Sequence, residues 1–216
     1  MDKILCPSMN CADFDALKEE VVSLDRAGAD IFHIDISDGT IFPQLSMGYR
    51  DFQCVRRNTN KLVDVHLYIS HPSRFIDLFA GEGADIIYVF PESEPLIAGS
   101  LCRIRKLGKH PGLAMGWGMS VEAVSELLPL VDYIMVNTAD LAGKEGAFME
   151  SCVPKLRRLT DYKEEYGYKI LLDGAISFDV IKRMSAMGID GFALGSGCLF
   201  KEKESYAEVF RKLRSL

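Results

Sequence analysis

The chain has 216 residues, 48% of them apolar, with a mean hydropathy of +0.07, enough for one sizeable core and short for two ordinary domains. Its 25 basic and 31 acidic residues give a formal charge of −6 without a dense Lys/Arg run, so no nucleic-acid partner is expected, while small anions can still bind at local sites. No apolar segment reaches membrane-helix length, and Cys6, Cys11, Cys54, Cys102, Cys152 and Cys198 show no C-x-x-C spacing and no leader after Met1, which predicts a cytoplasmic protein with reduced, mostly buried thiols.

Apolar runs of strand length then alternate with amphipathic stretches. Residues 4–7 predict a strand and 14–27 a helix; 31–36 a strand, followed by a weakly patterned helix at 49–58 carrying Phe52, Val55, Arg56 and Arg57. Strands at 62–67, 86–90, 113–115 and 133–136 precede helices at 72–82, 95–107, 121–128 and 148–166, and strands at 170–172 and 192–194 precede helices at 177–187 and 203–216. The strand runs are continuously apolar, as expected for strands buried on both faces of a parallel sheet. Gly28-Ala29-Asp30, Gly83-Ala84-Asp85 and Gly188-Ile189-Asp190 each close a helical pattern just before a strand, a faint internal repeat in which glycine ends the helix. About eight such units without a linker predict an α/β fold, a single (β/α)8 TIM-barrel domain over residues 1–216; an open doubly wound sheet is the structural alternative.

Four ionisable residues sit near the C-terminal ends of these runs: His33 and Asp35 in FHIDISDG, His66 in LVDVHLYI and Asp173 in ILLDGAIS. Alternation along a strand puts His33 and Asp35 on one face, towards the barrel interior, with Phe32, Ile34 and Ile36 towards the helices. Asp64 repeats the spacing one strand on and is expected behind the ligands. A lone His66 reads as a hydrogen-bonded interior histidine and a lone Asp173 as a helix cap. Four such groups at strand ends carry a large desolvation cost unless an ion or paired charges share them. Two imidazoles and two carboxylates suit one divalent ion, and the carboxylates can also move protons.

With CPSMNCADF, FHIDISDGTIFPQLSMG, LVDVHLYI, ILLDGAIS and FALGSGCLF in this order over nearly its whole length, the chain resembles the ribulose-phosphate 3-epimerase family, including its allulose-6-phosphate epimerase relatives. The resemblance implies a TIM barrel, a divalent metal (zinc, iron, manganese or cobalt) on His33, Asp35, His66 and Asp173, and Asp35 and Asp173 as the acid/base pair. It implies C3 epimerisation of a phosphorylated ketose, first ribulose 5-phosphate/xylulose 5-phosphate, by two-base proton transfer through a metal-stabilised enediolate. Ser8 matches a substrate-contacting serine; Gly174 with Ala175, and Gly195, Ser196 and Gly197 before the last helix, match phosphate-holding regions, where backbone N–H groups favour an anion.

The sequence departs from the family pattern in several places. N-P-G-F-G-G-Q after the sixth strand is replaced by the longer, more polar loop 137–146; Gly116-Trp117-Gly118 replaces an Asn-Pro segment; Ser37 and Tyr68 replace methionines, and Ala175 replaces a glycine. Trp117 is expected either to wall the pocket or simply to pack. The GSGCLF spacing is similar to the allulose-phosphate branch, keeping allulose 6-phosphate/fructose 6-phosphate as the alternative pair. A non-catalytic sugar-phosphate-binding barrel is the alternative of another class, and a lyase or decarboxylase ranks below it. His71 is expected to start a helix, His110 to lie in an exposed turn, and residues 201–204 to form a solvated helix start; Met115, Met119, Met135, Met184 and Met187 are expected to fill the barrel or its shell. Apolar helix and loop surfaces are expected to pair barrels as a homo-oligomer.

Overall fold

Strands and helices alternate through the computed structural model, which describes residues 3–140 and 146–216. In chain order they are β1 (Ile4–Pro7), α1 (Leu17–Ala27), β2 (Ile31–Ser37), α2 (Tyr49–Arg57), β3 (Leu62–Tyr68), α3 (Ser73–Gly81), β4 (Ile86–Val89), α4 (Ile97–Lys106), β5 (His110–Met115), a 3-10 helix (Glu122–Leu130), β6 (Tyr133–Asn137), α5 (Val153–Tyr166), β7 (Lys169–Asp173), α6 (Phe178–Met187), β8 (Gly191–Leu194) and α7 (Tyr206–Ser215). All pairings within the sheet are parallel, in the order β1-β8-β7-β6-β5-β4-β3-β2. The seam between β1 and β2 is closed by a parallel bridge between Ser8 and His33 and by the Asp30 N–H, which donates to the Leu5 carbonyl at 3.0 Å. This is the (β/α)8 barrel, not the open sheet.

The strand wall divides the core. Phe32, Ile34, Ile36, Val63, Val65 and Leu67 face the helical shell with Val21, Phe52 and Leu101, whereas Cys6, Ile31, Ile86, Tyr88, Met135 and Leu171 fill the interior. The Tyr88 ring needs Gly112 opposite it on β5, because a Cβ there would lie 2.3 Å from the ring.

The faint repeat acquires a structural meaning at the N-terminal end of the barrel. Gly28, Gly83 and Gly188 all have φ near +100°, a conformation that favours glycine and turns the chain from helix to strand. The aspartates two residues later each accept a backbone N–H from the neighbouring strand: Asp30 from Leu5 at 2.8 Å, Asp85 from Val63 at 2.9 Å and Asp190 from Ile170 at 2.7 Å. Arg214, Arg56 and Lys163 neutralise them in turn.

Several local expectations need correction. His110 opens β5 instead of occupying a turn, since the ladder with Ile86 begins there; its exposed ring pairs with Asp132 at 2.7 Å. The helix expected at 121–128 is a 3-10 helix containing Pro129, whose ring cannot donate a backbone hydrogen bond and clashes with a regular α turn. Residues 201–204 precede α7, which starts only after Ser205, where Ser205 and Glu208 form a capping box. No helix among the described residues is long and apolar enough to cross a membrane.

Candidate metal centre and active site

In-register pairing of β2 with β3 sets Asp64 opposite His33 and His66 opposite Asp35. His33 is therefore clamped from both sides, with Nδ1 2.7 Å from Asp64 Oδ1 and Nε2 3.1 Å from Asp35 Oδ1. His66 Nδ1 lies 3.4 Å from Asp35 Oδ1 and 3.8 Å from Asp173 Oδ2. Barrel curvature brings Asp173, at the end of β7, to the same point, and one ligand atom from each of His33, Asp35, His66 and Asp173 lies within 4.8 Å of the others.

The fit to a divalent ion rests on the donor atoms themselves. His66 is fully buried, yet among the described residues neither of its ring nitrogens makes a hydrogen bond, a costly state for a polar group away from water. Donors of this kind hold zinc-like ions at about 2.0–2.2 Å, so the cluster needs only modest side-chain adjustment. Asp64 stands behind His33 as the carboxylate that fixes its orientation. The four residues could hold a metal ion.

The two acidic ligands have opposite electrostatic environments. For Asp35, burial opposes ionisation, but the charge and hydrogen bond of His33 outweigh it and hold the carboxyl far below its usual range. For Asp173, burial comes first and the nearby Asp35 charge second; together they raise its pKa against the pull of His33, His66 and Tyr68. Burial would lower the His33 pKa, but Asp64 and Asp35 overcome it and raise the value well above 6.5.

A cavity of about 390 Å³ opens over this cluster and is lined by Ser8, Asp35, Asp173, Gly174, Ala175, Gly195, Ser196 and Gly197. His33 and His66 lie buried beneath it. The Ser8 hydroxyl donates to Asp35 Oδ2 at 3.3 Å. Gly174 has φ +93° and lies so close to Ala139 that a Cβ would sit 2.9 Å from its methyl carbon. Ala175 follows with φ +54°, in the left-handed region where an L side chain costs energy. Among the described residues, the backbone N–H groups of Gly174, Ala175 and Gly197 donate to no backbone carbonyl. Gly195-Ser196-Gly197, which precedes the last helix as expected, opens a turn in which the N–H groups of Cys198, Leu199 and Phe200 converge on the Gly195 carbonyl, so any anion affinity there comes from the loop.

The sequence reading missed three neighbours of the cluster. Tyr68, read only as a polar replacement, donates from its hydroxyl to Asp173 Oδ2 at 3.3 Å and accepts from Asn137 Nδ2 at 2.8 Å. Thr138 anchors the end of β7 by donating from its N–H to the Asp173 carbonyl at 2.7 Å and from its hydroxyl to the Gly174 carbonyl at 2.7 Å. A signal for Tyr68 existed, because it lies two residues beyond His66 on the same strand face. Ser177, not Asp173, caps α6. Trp117 is partly exposed and lines an adjoining depression with Phe42 and Phe90. Of the divergent loop 137–146, residues 141–145 lie outside the described residues.

Comparison with known proteins points the same way. The model of the "Ribulose-phosphate 3 epimerase family" matches residues 4–199. Ribulose-phosphate 3-epimerase of Synechocystis sp. is 31% identical over 216 residues, covering 98% of this chain and 93% of its own. The enzyme of the same name from Aquifex aeolicus is 31% identical over 99% of this chain and 96% of its own. Among solved structures, KGPDC from Streptococcus mutans superposes with a TM-score of 0.74 over 100% of this chain and 97% of its own; at 13% identity this is a likeness of fold.

Proposed function

The chain belongs to the ribulose-phosphate 3-epimerase family, and from that premise we propose that it is an isomerase inverting C3 of a phosphorylated ketose, the pair being ribulose 5-phosphate and xylulose 5-phosphate. The observation carrying this reading is the convergence of Asp35 from β2 and Asp173 from β7 in one histidine-lined cluster. Two carboxylates meeting at one substrate position are suited to act as base and acid in turn.

His33, Asp35, His66 and Asp173 hold a divalent ion, and imidazole with carboxylate donors suits zinc, iron, manganese or cobalt. When bound, the ion supplies positive charge to offset the negative charge that develops on substrate oxygens as the C3 proton leaves. Asp35 takes the C3 proton of one epimer. Asp173 delivers a proton to the opposite face, and the roles reverse for the other epimer. The hydrogen bond from Ser8 to Asp35 Oδ2 orients the first carboxylate and leaves Ser8 beside the sugar. Gly174, Ala175, Gly195, Ser196 and Gly197 hold the phosphate, a role supported by the N–H groups of Gly174, Ala175 and Gly197, which among the described residues donate to no backbone carbonyl.

The test is incubation of the metal-replete protein with ribulose 5-phosphate in deuterated water. Conversion to the xylulose epimer with solvent deuterium at C3 is expected. Absence of both conversion and exchange with five- and six-carbon ketose phosphates alike would leave a non-catalytic sugar-phosphate-binding barrel. Turnover confined to allulose 6-phosphate and fructose 6-phosphate would overturn the five-carbon assignment alone.

A further inference from the structure

Tyr68 is a part of the site used by neither the metal quartet nor the phosphate loops. It ends β3 on the interior face that also carries Asp64 and His66. Its ring is buried, with centroids 4.2 Å from His66 and 4.8 Å from Phe90. The hydroxyl is held by Asn137 Nδ2 at 2.8 Å and reaches Asp173 Oδ2 at 3.3 Å. A phenol has one hydrogen to donate. Because the Asn137 amide already donates into the oxygen, that hydrogen is directed to the carboxylate. The two acid/base carboxylates thus have different partners: Asp35 receives the Ser8 hydroxyl, Asp173 the Tyr68 hydroxyl.

We propose that Tyr68, oriented by Asn137, is a positioning residue for Asp173. It pins one carboxylate oxygen and thereby sets where the proton-carrying carboxyl group meets the sugar. The inference rests on the assignment of Asp173 as one of the two proton carriers. It has a directional consequence that general damage to the site lacks, since Tyr68 acts on one face of the reacting carbon while Asp35 and Ser8 serve the other.

The experiment uses Tyr68→Phe, which keeps the ring and removes the hydroxyl, in full-length metal-replete protein in deuterated water, started separately from each epimer. From the epimer deprotonated by Asp35, proton delivery by Asp173 is slowed, so the ratio of deuterium recovered in unconverted substrate to conversion rises by about tenfold, the scale of one lost hydrogen bond to a charged group. From the other epimer, exchange and conversion fall together. The kcat falls while KM and metal content stay near wild type. Asn137→Ala, which releases the hydroxyl and removes no side-chain hydrogen bond to Asp173, shows the same asymmetry with a smaller size. An unchanged partition ratio in a folded, metal-loaded Tyr68→Phe, with or without a uniform loss of rate, overturns the positioning role while leaving the epimerase standing. Absence of exchange in the wild type overturns both.

Discussion

Asp64 Oδ1 on β3 lies 2.7 Å from His33 Nδ1 on β2, the two residues facing each other in ladder register with both side chains fully buried. That bond fixes the ring so that Nε2 points to the cluster. Replacing Asp64 with Asn keeps the volume and weakens the clamp. Metal affinity, measured by competition with a chromophoric chelator, should fall about 10–100-fold, as for other carboxylates behind a ligating histidine. Unchanged affinity would show that the clamp has no part in holding the ion.

Chelation should destabilise the fold, because the ion binds the native cluster and not the unfolded chain. With the ion at about a hundred times its Kd, the linkage amounts to about 2.7 kcal/mol. For a chain of this length, that corresponds to a fall in Tm of about 5–10 °C on adding chelator, restored by adding back the ion.

Metal affinity should rise with pH. Asp64 and Asp35 keep His33 protonated above 6.5 in the metal-free protein, and an ion can bind Nε2 only after that proton leaves. Calorimetry in buffers of different ionisation enthalpy should detect proton release near neutral pH. The linked stability has the opposite sign. A raised folded-state pKa stabilises fully below the unfolded value, and the gain disappears as pH rises through the folded value. The Tm of the chelated protein should therefore decline as pH rises above about 6.5 towards the raised His33 value. No proton release and a flat Tm profile would contradict the assignment.

Asp35→Asn and Asp173→Asn should each lower kcat by about 10²–10⁴-fold or more, the usual contribution of a positioned acid or base. Circular dichroism and metal analysis should confirm that each variant is folded and loaded. Near wild-type turnover in either would remove that carboxylate from the proton path.

Ala175→Gly should stabilise the protein. Ala175 holds φ +54°, and relieving an L side chain of the left-handed region gains about 1 kcal/mol, or about 2–4 °C in Tm. A lower Tm would show that the Ala175 methyl makes packing contacts worth more than the strain.

Much of this was legible in the chain. Continuous apolar runs mark the strands because both faces of a parallel barrel strand are buried, and all eight are found close to their expected positions. His33 and Asp35 are recognisable as partners because a strand repeats every second residue, and the Gly-x-Asp repeat is visible because the same helix-to-strand turn recurs at Gly28, Gly83 and Gly188. Local competition hid other features. His110, beside Pro111, reads as part of a turn, although a proline at a strand start and a glycine beside the Tyr88 ring are what β5 requires. The charges at 201–204 read as a helix start, although Ser205 carries the cap.

The sequence by itself determined which residues face the barrel interior, since alternation and burial are properties of each strand alone. Only the tertiary structure decided which of them meet. Asp173 touches Tyr68, Tyr68 touches Asn137, and Thr138 holds the end of β7 because closure of the sheet brings strand ends from β3, β6 and β7 to one mouth. Distances across that mouth depend on curvature accumulated over eight strands, which no local pattern encodes.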